Sequence, residues 1–265
     1  MRNTLAPLLL LLASTSCSLT FGSMPEKATR EAELAFQPTA GAHTLEIDSF
    51  NGSITLGIAK EGEGISGSAS IWARGKTEEQ AIERLGQMEM QFRQDGDTVI
   101  LLLTEPDLGS NNAGAQIKSL SVPRGWAVKI DGSNGNVEVP AGFTDVHIDT
   151  SNGNATVGGS GRIYVDTSNG NVTYRGGSRD IELDSSNGSI TLELKGDWDG
   201  RAMVSSSNGK ITVRCNGSLD TRLVTSTSNG KANVYGPELS AERGTGSMNL
   251  DTSNGNISVT HNFPE

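Results

Sequence analysis

The stretch Val146-His147-Ile148-Asp149-Thr150-Ser151-Asn152-Gly153-Asn154-Ala155-Thr156-Val157 returns 17 residues later as Ile163-Tyr164-Val165-Asp166-Thr167-Ser168-Asn169-Gly170-Asn171-Val172-Thr173-Tyr174. In both copies apolar and polar residues alternate on either side of a Ser-Asn-Gly corner, the period-2 pattern of strands that bury one face. The same unit centres on Asn51-Gly52, Asn134-Gly135, Asn187-Gly188, Asn208-Gly209, Asn229-Gly230 and Asn254-Gly255. From Asn134 onward the spacings are 18, 17, 18, 21, 21 and 25 residues. A short, nearly constant period is the mark of a solenoid or array, in which no unit buries its apolar face alone.

The copies align position by position. Four residues before the Asn stand Ile47, Ile130, Ile148, Val165, Leu183, Val204, Thr225 and Leu250, and three after it stand Ile54, Val137, Ala155, Val172, Ile190, Ile211, Ala232 and Ile257. An Asn-Gly pair between alternating strands is also a strong hairpin signal, so a meander or sheet sandwich shares the pattern. The likeness between copies favours the solenoid. Stacked coils place each Asn about 4.8 Å above the last, where amide side chains form ladders. Energetics agree. One coil offers roughly four inward aliphatics, worth on the order of 1.5–3 kcal/mol each when buried, and ordering its backbone costs as much or more. The expected fold is therefore all-β: a single-chain β-solenoid of about eight strand–corner–strand repeats, whose open ends need protection from edge pairing.

Residues 60–125 interrupt the repeat as a cap or insertion would. Ile65 to Trp72 reads as an edge strand. Thr77-Glu78-Glu79-Gln80 is a capping box opening a short helix to about Leu85. Met88 to Phe92 and Val99 to Leu103 flank a turn at Asp95-Gly96 as a hairpin, and Gly109 to Gly114 reads as a flexible loop. At the other flank, Arg2, the apolar run Leu5 to Ala13 and the small residues before Cys17 make a secretory signal, too short in its apolar core to span a bilayer. Small residues leading to a cysteine resemble a bacterial lipoprotein signal, which implies lipid attachment at Cys17. The expected organisation is a signal over 1–17, a flexible tether over 18–40, the first repeat with its helix–hairpin insertion over 41–125, and solenoid repeats over 126–265.

Composition narrows the function. A formal net charge of −10 without basic clusters argues against nucleic acid and against direct adsorption to anionic headgroups, leaving a lipid as the membrane anchor. Two cysteines, Cys17 and Cys215, give no disulfide framework. His43, His147 and His261 have no companion His or Cys at metal-ligand spacing. There is no G-x-S-x-G, P-loop or H-E-x-x-H motif, so no catalytic residue, cofactor or metal site is expected. Three residues before the Asn, Asp48, Asp131, Asp149, Asp166, Asp184 and Asp251 form an acidic column, with Ser205 and Ser226 in the other two copies. Calcium could relieve the repulsion. Hydrogen bonds from turn amides and nearby hydroxyls are the structural alternative, and Lys210 and Lys231 break the column's uniformity. Trp72, Trp126, Trp198 and Tyr164 are spaced too irregularly for a sugar-stacking track.

Ser121-Val122-Pro123-Arg124-Gly125, then Val128-Lys129-Ile130 and Ser133-Asn134-Gly135-Asn136-Val137-Glu138-Val139, resembles the bacterial "putative adhesin" family, whose members carry a V-P-x-G step into repeated S-x-N-G coils. The likeness covers about residues 41–262. It implies an exported β-helical domain and supplies no catalytic residues. Together these readings point to a non-catalytic envelope protein making multivalent contacts with a protein or polysaccharide. The alternatives are a carbohydrate-active β-helix enzyme and a module that assembles end to end through its open coil.

Overall fold

The computed structural model describes residues 26–48, 51–104, 112–159, 161–235 and 244–261. Its N-terminal part comprises β1 (Glu26–Phe36), β2 (Thr44–Ile47), β3 (Ile54–Ile58), β4 (Ile65–Gly75), helix α1 (Glu78–Gly86), β5 (Glu89–Asp95), β6 (Thr98–Thr104) and β7 (Ala113–Val122). Paired short strands follow: β8 (Ala127–Asn134) with β9 (Val137–Val139), β10 (Asp145–Asn152) with β11 (Ala155–Gly159), and β12 (Arg162–Asn169) with β13 (Val172–Gly176). Next come β14 (Asp180–Ser185) with β15 (Ile190–Leu194), β16 (Arg201–Ser206) with β17 (Ile211–Cys215), β18 (Thr221–Thr227) with β19 (Ala232–Tyr235), and β20 (Gly246–Thr252) with β21 (Ile257–His261).

The two strands of each pair do not bond to each other. They lie in separate sheets of eleven and ten strands, and each bonds in parallel to its counterparts in neighbouring coils. A hairpin meander would have placed β10 beside β11; the solenoid-like stacking places Asn152 beside Asn169 and Asp149 beside Asp166. Aliphatics of both sheets meet in one continuous core, with Ile148, Val165, Leu183, Val157, Val172 and Ile190 all buried.

The insertion extends the stack. β6 and β7 lie outside β2 and β3 and add a level of their own. β4 and β1 then extend one sheet antiparallel, and β5 extends the other. Helix α1 is capped at Thr77, whose Oγ1 accepts from the Gln80 amide at 3.3 Å, while Gln80 Oε1 reaches one residue past the cap to accept from the Lys76 amide at 2.7 Å. Ala81 and Leu85 pack it inward.

Four expectations are corrected. The tether expected over 18–40 is a strand from Glu26 to Phe36, paired with β4 along its whole length. Its buried residues are Ala28, Ala32 and Leu34, an apolar load too small to stand out against Lys, Arg and Glu. Consequently β4 is an interior strand, and β1 is the edge. The glycine-rich loop expected up to Gly114 gives way to β7, which begins at Ala113 and sits between β4 and β3 with Ala113, Ala115 and Ile117 inward. Finally, the coils do not stack in chain order: β20 lies between β16 and β18, and β21 lies between β17 and β19. The exposed terminal level is thus β18–β19, with Val224, Val234 and Tyr235 open to solvent. The last strand in sequence, β21, is interior, with Val259 buried. The signal, Cys17, residues 18–25, Phe50 and Gly109 lie outside the described residues. Among the described residues no helix is long and apolar enough to cross a membrane.

Candidate functional site

The corners are built from three contacts. First, the Asn side chains form a ladder in which each Nδ2 donates to the Oδ1 of the coil before it: Asn152 to Asn134 at 2.9 Å, Asn169 to Asn152, Asn187 to Asn169 and Asn208 to Asn187 at 3.0 Å. The ladder then runs through Asn254 to Asn208 and Asn229 to Asn254, both 2.8 Å, following spatial rather than chain order. Asn51 stands at its start, bonded to Asn134. Second, each Gly abuts the backbone of the next level. A Cβ on Gly153, Gly170, Gly188 or Gly209 would sit on the carbonyl oxygen of Gly135, Gly153, Gly170 or Gly188 respectively; Gly52, Gly135, Gly230 and Gly255 are equally crowded by backbone. Third, a buried hydroxyl two residues before the Asn donates to the Gly carbonyl of the adjacent coil: Ser185 to Gly170 at 2.9 Å, Ser206 to Gly188 and Thr252 to Gly209 at 3.0 Å. This hydroxyl was legible as a recurring Thr or Ser in the repeat, yet its inward role was not recognised. The corners are joints between coils.

The acidic column is contiguous only in part. Asp131, Asp149, Asp166 and Asp184 are in direct register. Ser205 follows, then Asp251, then Ser226, so the inserted coil leaves Asp251 between two serines. Asp48 ends the row near Asp131; its backbone amide donates to the Leu101 carbonyl. Partial burial, then the charges of Asp184 and Asp149, raise the Asp166 carboxyl above its ordinary range. Among the described residues no three His, Cys, Asp or Glu side chains converge as metal ligands, which agrees with a column spread one carboxylate per strand.

Beside that column on the same outer face lies a second one: Glu46, Lys129, His147, Tyr164, Glu182 and Met203. Lys129 donates to Glu46 at 2.7 Å, which together with Asp131 and Asp48 raises its pKa. The rings of His147 and Tyr164 stack, with centroids 4.3 Å apart and planes 12° apart. Each ring therefore covers a face of the other, and the pair offers no free stacked platform on its shared side. His43 pairs with Asp97 at 3.4 Å, far from both. Trp126 and Trp198 are buried, leaving Trp72 and Tyr164 as partly exposed rings. Lys27 and Arg74 lie over Trp72, 4.9 and 5.5 Å from its ring. Cys215 is buried, and burial pushes its thiol up.

The outer face of the other sheet carries an uncharged row. Thr156, Thr173, Thr191, Thr212 and Ser258 are in direct register, one per level. Among the described residues the four threonine hydroxyls have no hydrogen-bond partner. Flanking them, Arg175 and Arg214 both hold Glu193, at 2.7 and 3.0 Å.

No protein-family model matches the chain, and no curated protein matches it in sequence. Solved structures do. A "putative cell adhesion protein" from Clostridium sporogenes ATCC 15579 is 13% identical with a TM-score of 0.37, over 88% of this chain and 99% of that one. A "putative adhesin" from Bacteroides fragilis NCTC 9343 is 14% identical with a TM-score of 0.42, over 89% of this chain and 98% of that one. A "putative adhesin" from Parabacteroides merdae ATCC 43184 is 10% identical with a TM-score of 0.42, over 88% and 95%. This chain is similar to these proteins along nearly the whole length of each.

Proposed function

We propose that the chain is a non-catalytic, adhesin-like scaffold of the cell envelope, exported and lipid-anchored, whose flat face makes many weak contacts with an extended partner. The row Thr156, Thr173, Thr191, Thr212 carries this reading, because it offers one unpartnered hydroxyl per level at the strand spacing. Strands in a sheet lie about 4.8 Å apart, close to the advance of one ring in an extended polysaccharide. A chain laid along the row meets a donor–acceptor at each ring. Each contact is weak, and successive contacts gain from effective concentration. An enzyme would gather acids and bases in one groove; here polar groups recur evenly from level to level. Affinity for an extended polysaccharide should therefore rise with polymer length in wild type. It should collapse in Thr173→Val/Thr191→Val, a change that keeps the β-branched shape and leaves thermal stability within about 0.5 kcal/mol. Length-independent binding, or binding unchanged in the variant, would remove the support for this face.

The anchor in this reading is Cys17. Intact mass of the mature protein from membranes should show a diacylglyceryl or triacyl increment that Cys17→Ala abolishes. A mature chain starting beyond Cys17 would end the lipoprotein reading.

A further inference from the structure

The turns that feed β14, β16 and β20 enclose an open cleft of about 410 Å³ lined by Arg179, Asp199, Gly200, Arg201, Thr245 and Ser247. Gly200 and Gly246 form its floor. Each is crowded by the backbone of the neighbouring turn, so neither can carry a side chain that would fill the space above. On one side Arg179 is held by Asp199 at 2.9 Å. On the sheet side, Arg201 lies in register with Ser247, and Ser247 with Arg222. The three make a row of guanidinium, hydroxyl, guanidinium across three adjacent strands.

The arginines nearest the cleft and on the middle coils are neutralised. Arg162 is held between Asp145 and Asp180, Arg175 and Arg214 share Glu193, and Arg179 has Asp199. Among the described residues Arg201 and Arg222 have no carboxylate within ion-pair distance; the polar contact of Arg201 is to Met203 Sδ at 2.9 Å. Two exposed arginines stand without counter-ions on a chain of net charge −10. Stacking in chain order would set Arg201 directly beside Arg222, with like charges about 5 Å apart at the backbone. The inserted β20 separates them by Ser247.

We propose that this cleft binds the carboxylate of a uronic acid residue in an acidic polysaccharide. A planar guanidinium fork matches a carboxylate bidentately; Arg201 lines the cleft, and Arg222 stands beside it, beyond Ser247 on the next strand. The Ser247 hydroxyl lies between them to accept or donate to a ring hydroxyl. Asp199 at the rim accepts hydrogen bonds from sugar hydroxyls and repels dense anions, which favours one charge per sugar over a phosphate dianion. The site lies on the opposite sheet from the threonine row and does not rest on it.

Calorimetric titration of the whole exported chain with oligogalacturonate, with neutral oligomaltose of equal length, and with inorganic phosphate tests the assignment. Oligogalacturonate should bind with an affinity that falls about tenfold or more in Arg201→Gln/Arg222→Gln, the loss expected for hydrogen bonds to a charged group. Arg175→Gln, at a paired arginine elsewhere, should leave it unchanged. Circular dichroism of the double variant should match wild type. Equal affinity in the double variant overturns the proposal, as does equal loss in Arg175→Gln or binding of phosphate in preference to the uronate. Binding of the neutral oligosaccharide alone overturns it too, while leaving the polysaccharide scaffold standing.

Discussion

Replacing Gly170 by alanine should destabilise the protein by about 3 kcal/mol, at the upper end of what an inserted methyl costs in a packed interior. The new Cβ would meet the carbonyl oxygen and carbon of Gly153, backbone atoms fixed in a ladder on the adjacent level. Gly170 is not among the glycines with positive φ, so close approach, not backbone freedom, demands it. Two other glycines separate these causes. Gly196 has φ of 73° and open space around its Cβ direction; alanine there should cost only the left-handed penalty of about 1–2 kcal/mol. Gly86 ends α1, exposed and with nothing near its Cβ direction, and alanine there should stabilise by about 0.4–1 kcal/mol. Urea midpoints of the three variants should fall in that order. A Gly170 variant no worse than the Gly196 variant would refute close packing at the corners.

The second large effect is expected at Trp198. Its indole fills the turn side of the core at 1% exposure, and Nε1 donates to the Ser178 carbonyl at 2.6 Å. Ser178 in turn donates its amide to the Tyr174 hydroxyl at 2.7 Å, and that hydroxyl donates to the Gly159 carbonyl at 2.6 Å. Burial pushes the Tyr174 phenol up to about 12, so the chain of bonds persists at any ordinary pH. Trp198→Ala should cost about 3–5 kcal/mol from lost volume and the cavity left behind. Trp198→Phe keeps much of the volume but strands the Ser178 carbonyl, costing about 1–3 kcal/mol. Chemical denaturation followed by circular dichroism reads both; equal losses would mean the hydrogen bond, not the ring, carries the effect.

The strand–corner–strand unit was legible because side-chain alternation has period 2 and its inward positions hold Ile, Val and Leu in nearly every copy. The amide ladder was legible from the invariance of the Asn between copies. The order of the coils was not. Units this similar present the same inward residues, the same ladder amide and the same corner glycine, so Asn254 satisfies Asn208 as well as Asn229 would. Nothing local tells one partner from the other. The cleft was hidden for the same reason, since Arg201 and Arg222 meet Ser247 only through that stacking. β1 was missed because Ala28, Ala32 and Leu34 bury little, and eleven residues of backbone pairing hold it instead. The loss of free rings at Trp126 and Trp198 follows from turns that fold back over the core, a three-dimensional fact with no periodic trace.

The inserted coil also changes how the molecule meets force. A strand at the end of a sheet peels away bond by bond when it is pulled. Tension applied beyond His261 acts instead on a level clasped above and below, with β20 bonded to β16 and β18 and β21 bonded to β17 and β19. To yield, it must shear four ladders together, so the stack is latched from within against traction on that side.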